Sequence, residues 1–175
     1  VVADCYGDST LAELLALSGT GAAALPLAEA LDLAHELVAA LATIHARNGY
    51  HGNLTPGNLL LRSDEQAVGR YAVKLTNLAL LPFDQDLPLD PDSLAYSWTP
   101  ERVRGDAGSG LDADVRGRAE DSYSLGGLLF HLFAGRPPRR AAAQRQLSTA
   151  HLYDTPPVLH SLRPELSPGP ASPGG

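Results

Sequence analysis

Disulfide cross-links are excluded at once, because Cys5 is the one cysteine among 175 residues. A disulfide-built secreted scaffold is therefore not expected, and a reducing intracellular setting, the cytoplasm, is. Long apolar runs are missing too. No stretch approaches the roughly 18 uninterrupted apolar residues of a membrane span, and the N-terminus lacks the basic-then-apolar layout of a signal peptide. No membrane partner is expected. Basic residues are in deficit, 13 Lys and Arg against 20 Asp and Glu, for a formal net charge of −7. A general nucleic-acid binder needs a basic face to displace counterions from phosphates, so nucleic acid is not an expected partner. Arginine gathers only at Arg136, Arg139, Arg140 and Arg145, either a solvated loop and helix start or an anion or partner contact.

Metal-ligating patterns are equally scarce. His35, His45, His131, His151 and His160 form no pair spaced for zinc. Asp84, Asp86, Asp90 and Asp92 lack the Gly and terminal Glu of a calcium loop and read as a solvated run. No internal repeat is present. Cys5 has no neighbouring cation to lower its thiol pKa and reads as packing.

What is present is a chain of one-domain size, 44% hydrophobic, able to bury a core without cross-links or metals. Val1 to Tyr6 reads as the end of a strand and Gly7-Asp8-Ser9 as a turn, with Ser9 or Thr10 capping a helix from Leu11 to about Ser18. After a small-residue linker, Pro26 opens a long helix to about Asn48. Leu27, Ala30, Leu31, Ala34, Leu37, Val38, Leu41, Ile44 and His45 recur on it at helical spacing and predict one wide buried face. Leu59–Leu61 and Tyr71–Leu75 predict two short strands around a hairpin containing Gly69. Pro82 to Ser93 and Gly105 to Arg118 read as irregular, mobile segments. Thr99 should cap one helical turn opened by Pro100. Ser122 to Ala134 is apolar nearly all round and belongs at a domain centre, stopped by Gly135, with a further helix from about Arg140 to Leu152. From Pro156 on, Pro and Gly recur, and 167–175 is expected to be a disordered tail.

Four motifs carry the functional signal. They are His51-Gly52-Asn53-Leu54-Thr55-Pro56-Gly57-Asn58, then Val73-Lys74-Leu75-Thr76-Asn77-Leu78-Ala79, then Trp98-Thr99-Pro100-Glu101, then Asp121-Ser122-Tyr123-Ser124-Leu125-Gly126. In this order they resemble the catalytic loop, the Asp-Phe-Gly metal motif, the Ala-Pro-Glu motif and the central-helix opening of protein kinases. The resemblance covers residues 1–166. It implies a mainly α, kinase C-lobe-like helical domain with a small β-hairpin, beginning at the hinge strand, with the small N-lobe absent and the final helices truncated.

The departures from the family pattern fall at its chemistry. Asn53 stands where the resemblance places the base that accepts the substrate proton, Gly52 where an arginine reads a phosphorylated segment, and Thr55 where a lysine steadies the transferred phosphate. Asn77 stands at the magnesium-binding carboxylate. A neutral amide is no base near pH 7, and Mg²⁺ prefers hard anionic oxygen. Structural positions are kept: His51, Asn58, Pro100, Glu101, Asp121 and Gly126. His51, taken alone, reads as a packed core histidine.

The implied function is a catalytically inactive pseudokinase, not an enzyme, acting on protein partners as a scaffold or allosteric module. No cofactor is expected. Asp8, Asn58 and Asn77 are weak candidates for contacts to ATP, and Asp8 reads equally as a plain turn residue. The alternatives are a weakly active phosphotransferase or an ATP-binding structural module. The aminoglycoside and choline kinases belong among the former, since their loop reads His-Gly-Asp-Leu-His-Pro-Gly-Asn. Tyr96 and Thr99 are candidate phosphorylation sites in a segment expected to be exposed.

Overall fold

A computed structural model of the chain describes residues 9–19, 25–64, 69–78, 96, 99–105, 112–139 and 144–166. The expected strand at Val1 to Tyr6, with Cys5 and Asp8, lies outside the described residues. So do the Pro82 to Ser93 segment, Trp98 and the tail 167–175.

Thr10 and Glu13 start the first helix reciprocally. The Glu13 amide donates to Thr10 Oγ1 at 3.2 Å and the Thr10 amide to Glu13 Oε2 at 2.7 Å, a capping box that satisfies two otherwise orphaned helix-start groups. Helix α1, Leu11–Gly19, buries Leu11 and Leu15, one turn apart. Ser9–Thr10 is itself a strand, β1, where a turn was expected at Ser9. It pairs antiparallel with β2, Leu59–Ser63, placing Ser9 opposite Leu61 and Thr10 opposite Leu60. The partner edge lies about fifty positions away in sequence, so local turn propensity could not register it. Strand β3, Tyr71–Leu75, pairs with the other edge of β2, Leu59 opposite Leu75 and Ser63 opposite Tyr71. The sheet order is β1-β2-β3. Leu59 and Leu61 point to the core, as a period of two requires.

Helix α2, Leu27–His45, follows Pro26 and buries Ala30, Leu33, Leu37 and Leu41. The predicted stripe was rotated from this one: Leu31 is 52% and Val38 45% exposed, while Leu33, absent from the stripe, is fully covered. The helix carries apolar residues around most of its girth, so periodicity alone could not choose the buried side. Its neighbours choose it, β3 and the long helix that begins at Ala113.

Helix α3, Pro100–Arg104, is the expected single turn. Thr99 Oγ1 accepts the Arg102 amide at 3.3 Å, and Gly105 closes the turn at φ 76°. Helix α4, Ala113–Ala134, starts well before the expected Ser122, and part of the predicted loop is therefore helical. Asp112 caps it by accepting the Asp114 amide at 2.8 Å. The loop reading rested on the Gly, Asp and Arg residues from Gly105 to Arg118, but Gly117 has a packing reason. A Cβ there would lie 2.3 Å from Cγ of the Tyr50 ring, so only glycine lets α4 approach the end of the α2 connection so closely. Leu128 and Leu132 are fully buried, and Gly135 ends the helix at φ 68°.

Helix α5 spans Gln144–Tyr153, α6 spans Leu159–Leu162, and a 3₁₀ turn covers Pro164–Leu166. Arg139 of the expected arginine cluster donates to the carbonyls of Ala150 and Asp154 at the end of α5. Arg163 Nη1 donates to the carbonyls of Leu25 at 2.9 Å and Phe133 at 3.3 Å, tying this last segment to the start of α2 and the end of α4. The architecture is a mainly helical domain like a protein kinase C-lobe, with a small sheet at one side. No helix among the described residues is long and apolar enough to cross a membrane.

Two glycines of α4 make opposite predictions. Gly117→Ala drives a methyl into the Tyr50 ring and should cost about 1–3 kcal/mol by overpacking. A Cβ on Gly126 meets nothing within 4 Å, so Gly126→Ala should stabilise by about 0.5–1 kcal/mol through helix propensity. Urea denaturation of the two variants checks both signs.

Candidate functional site

The loop that follows α2 is held from inside by one carboxylate. Asp121, on α4, is fully buried. Its Oδ2 accepts the His51 amide at 2.7 Å and the imidazole of His45 at 2.9 Å, and its Oδ1 accepts the Gly52 amide at 2.8 Å. Charge-assisted bonds of this kind are roughly twice as strong as neutral ones. Gly52 takes φ 76°, a conformation in which glycine carries no Cβ penalty, and this turns the chain from His51 toward Asn53.

His51 is fully buried beneath the loop. Its Nδ1 accepts the Asn53 amide at 3.2 Å, so the neutral ring carries its proton on Nε2. Burial holds its pKa below the ordinary 6.5, against the opposing pull of the Asp121 carboxylate and the Thr76 backbone. Leu54, Thr55 and Pro56 are buried beside it and anchor the loop. A 3₁₀ turn, Pro56–Asn58, follows, and the Asn58 amide closes it onto the Thr55 carbonyl at 3.0 Å.

Asn58 then joins three segments. Its Nδ2 donates to the Asn53 carbonyl at 2.9 Å, and its Oδ1 accepts Nδ2 of Asn77 at 2.8 Å. Its backbone carbonyl accepts both the amide and the hydroxyl of Thr76, at 2.9 and 3.1 Å. Asn77 follows β3 with φ 58°, a left-handed conformation that asparagine tolerates better than most residues. The fold thus gathers His51, Gly52, Asn53, Thr55, Asn58, Asn77 and Asp121 into one place.

Other sequence-predicted positions lie apart from this group. Asp8 is outside the described residues. Pro100 and Glu101 sit on α3, and Gly126 is exposed on α4 with open space at its Cα. The link from α3 to the loop runs instead through Glu120, which is buried next to Asp121 and lies 3.8 Å from Arg102. Burial pushes the Glu120 carboxyl up in pKa, while Arg102 and then Arg116 pull it down. The predicted phosphorylation sites are also corrected. Tyr96 is 4% exposed and its hydroxyl bonds His131 Nδ1, while Thr99 is 5% exposed with its hydroxyl spent on the α3 cap.

Residues that sequence reasoning passed over are His45, Thr76, Glu120 and the Tyr50–Gly117 contact. His45 was placed on the buried face of α2 but given no role at the loop. The only available signal was its position in the last turn of a helix leading straight into the motif.

Phosphate-transferring lobes of this shape hold Mg²⁺, and the residues present do not fit it. The oxygen of Asn58 is engaged by an N–H, position 77 offers an amide instead of a carboxylate, and no group of three or more His, Cys, Asp or Glu side chains among the described residues could hold a metal ion.

Against models of known protein families, the chain matches none. It is similar to proteins named as serine/threonine-protein kinases, three of which follow. One is PknD of Mycobacterium tuberculosis, 32% identical over 165 residues, 89% of this chain and 23% of the relative. Another is PknF of the same species, 28% identical over 148 residues, 81% of this chain and 27% of the relative. The third, PknA of Corynebacterium glutamicum, is 26% identical over 159 residues, 91% of this chain and 31% of the relative. The chain spans less than a third of the length of these relatives.

These names overturn the expectation that the chain is not an enzyme. Its physical basis was also too narrow, because phosphoryl transfer draws chiefly on positioning and electrostatics, and a missing base bears on rate before it bears on kind.

Two measurements test the site's construction. Asp121→Ala leaves two backbone N–H groups and His45 facing a void and should destabilise by about 3–5 kcal/mol in denaturant titration. His51, with its folded pKa below 6.5, contributes stability that is present above pH 6.5 and lost as pH falls, because the unfolded chain takes the proton first. Unfolding free energy should therefore fall as pH drops below 6.5, and His51→Asn should flatten that slope. The chain is related to serine/threonine protein kinases, and its fold is like their helical lobe.

Proposed function

We propose that this lobe serves a protein kinase-like phosphotransferase of low turnover. The observation that carries the reading is the bond lattice from Asp121 through His51 and Gly52 to Asn58 and Asn77. It keeps a substrate-positioning loop in shape while the two positions expected to be charged are amides. Positioning survives, and it supplies much of the acceleration in phosphoryl transfer. The Asn53 amide orients a hydroxyl acceptor by hydrogen bonding but takes no proton from it, so the proton leaves to water and transfer is slow.

The second reading gives the lobe a regulatory or scaffolding role toward protein partners. The two amides at Asn53 and Asn77 favour it, since a loop selected to bind needs its shape more than its charge. The two roles are compatible in one domain. Between the phosphotransferase alternatives, Gly52, Pro56 and Gly57 resemble small-molecule kinases, whereas the relatives are named as protein kinases.

Transfer of labelled γ-phosphate from ATP to protein, assayed on the full-length protein, tests the proposal. Slow incorporation is expected, and Asn53→Asp should raise it by about 10²–10⁴, the usual contribution of a positioned base. No incorporation by the native protein, by Asn53→Asp or by Asn53→Asp with Asn77→Asp would refute it.

A further inference from the structure

We infer that the Asn77 side-chain amide closes the position between Asn58 and Asn77 to a divalent cation held by protein ligands alone. The hydrogen-bond partners determine which way each amide faces. Asn58 Nδ2 lies 2.9 Å from the Asn53 carbonyl oxygen, an acceptor only, so a donor must face it and the orientation of the Asn58 amide is determined. Its Oδ1 is thereby aimed at Asn77. The contact there is 2.8 Å, which two amide oxygens do not adopt without a cation between them. Asn77 therefore presents Nδ2, and its N–H sits on the Asn58 oxygen where a metal ion would have to lie.

The remaining acceptor of Asn58 is also in use. Its backbone carbonyl takes the amide and hydroxyl of Thr76 at 2.9 and 3.1 Å. A cation could take the position between the two side chains only if the Asn77 amide turned over. That motion breaks the Asn77–Asn58 bond and yields two neutral oxygens, a poor exchange for the water shell that Mg²⁺ gives up reluctantly. Asparagine at 77 is thus an occupant as well as a missing ligand. A carboxylate in its place would set an anionic oxygen against Asn58 Oδ1, a pair that repels when empty and attracts a dication.

Mn²⁺ alone is the probe, added to this chain and followed by the loss of the free-ion paramagnetic resonance signal. The native chain should bind it at least about tenfold more weakly than Asn77→Asp, since ligand charge is what changes. Adding Asn58→Ala to Asn77→Asp should abolish the gain and so locate it. Independently of any variant, saturating Mn²⁺ should leave the side-chain NH₂ resonances of Asn58 and Asn77 in the native chain unbroadened. Equal Mn²⁺ affinity in the native chain and Asn77→Asp, or selective broadening of those two native resonances, would overturn the inference. The readout involves no phosphate transfer, so it stands or falls apart from the proposed activity.

Discussion

The carboxylate of Asp121 is the interaction on which the site depends. One buried anion on α4 accepts from His45 at the end of α2 and from the first two backbone N–H groups of the loop, His51 and Gly52. A carboxylate out of water must find several donors or lose its charge. The loop backbone supplies two of them, which obliges the loop to stay where it is. The two helices that frame the site, α2 and α4, thereby meet at a polar point as well as through Leu37, Leu41, Leu128 and Leu132.

From that point a chain of neutral hydrogen bonds carries the shape outward. His51 is neutral because it is buried, and its Nδ1 steadies Asn53. Asn53 offers its carbonyl to Asn58, Asn58 its oxygen to Asn77, and Thr76 ties β3 back to Asn58. Every strut after Asp121 is an imidazole, an amide, a hydroxyl or the backbone. Asn53 and Asn77 are the two positions of this framework where a carboxylate was expected.

Much of the fold was legible. Thr99 and Pro100 announced α3, Gly135 the end of α4, and the runs at Leu59 and Tyr71 the two longer strands. The failures have a common physical cause. Leu31 and Val38 were placed inside and Leu33 left out, because a helix apolar on most sides has no buried face until neighbours supply one. Ser9 was read as a turn because the edge of β2 was distant in sequence. The first turns of α4 were read as loop because Gly117 looks like a breaker until the Tyr50 ring beside it is known. Tyr96 and Thr99 were judged exposed from segment composition, and their hydroxyls turn out to be engaged within the domain.

The sequence by itself determined the chemical identities: amides at 53 and 77, a glycine at 52, a carboxylate at 121, and the order of motifs that relates the chain to protein kinases. Those follow from residue type and need no coordinates. Tertiary structure decided how they are coupled. Only the packing of α4 against α2 sets Asp121 beneath His51 and Gly52, with His45 as a third donor. Only the return of β3 brings Asn77 onto the oxygen of Asn58, nineteen residues away. Hydrogen bonds act over about 3 Å, and a distance that short between residues so far apart in sequence is a property of the folded chain alone.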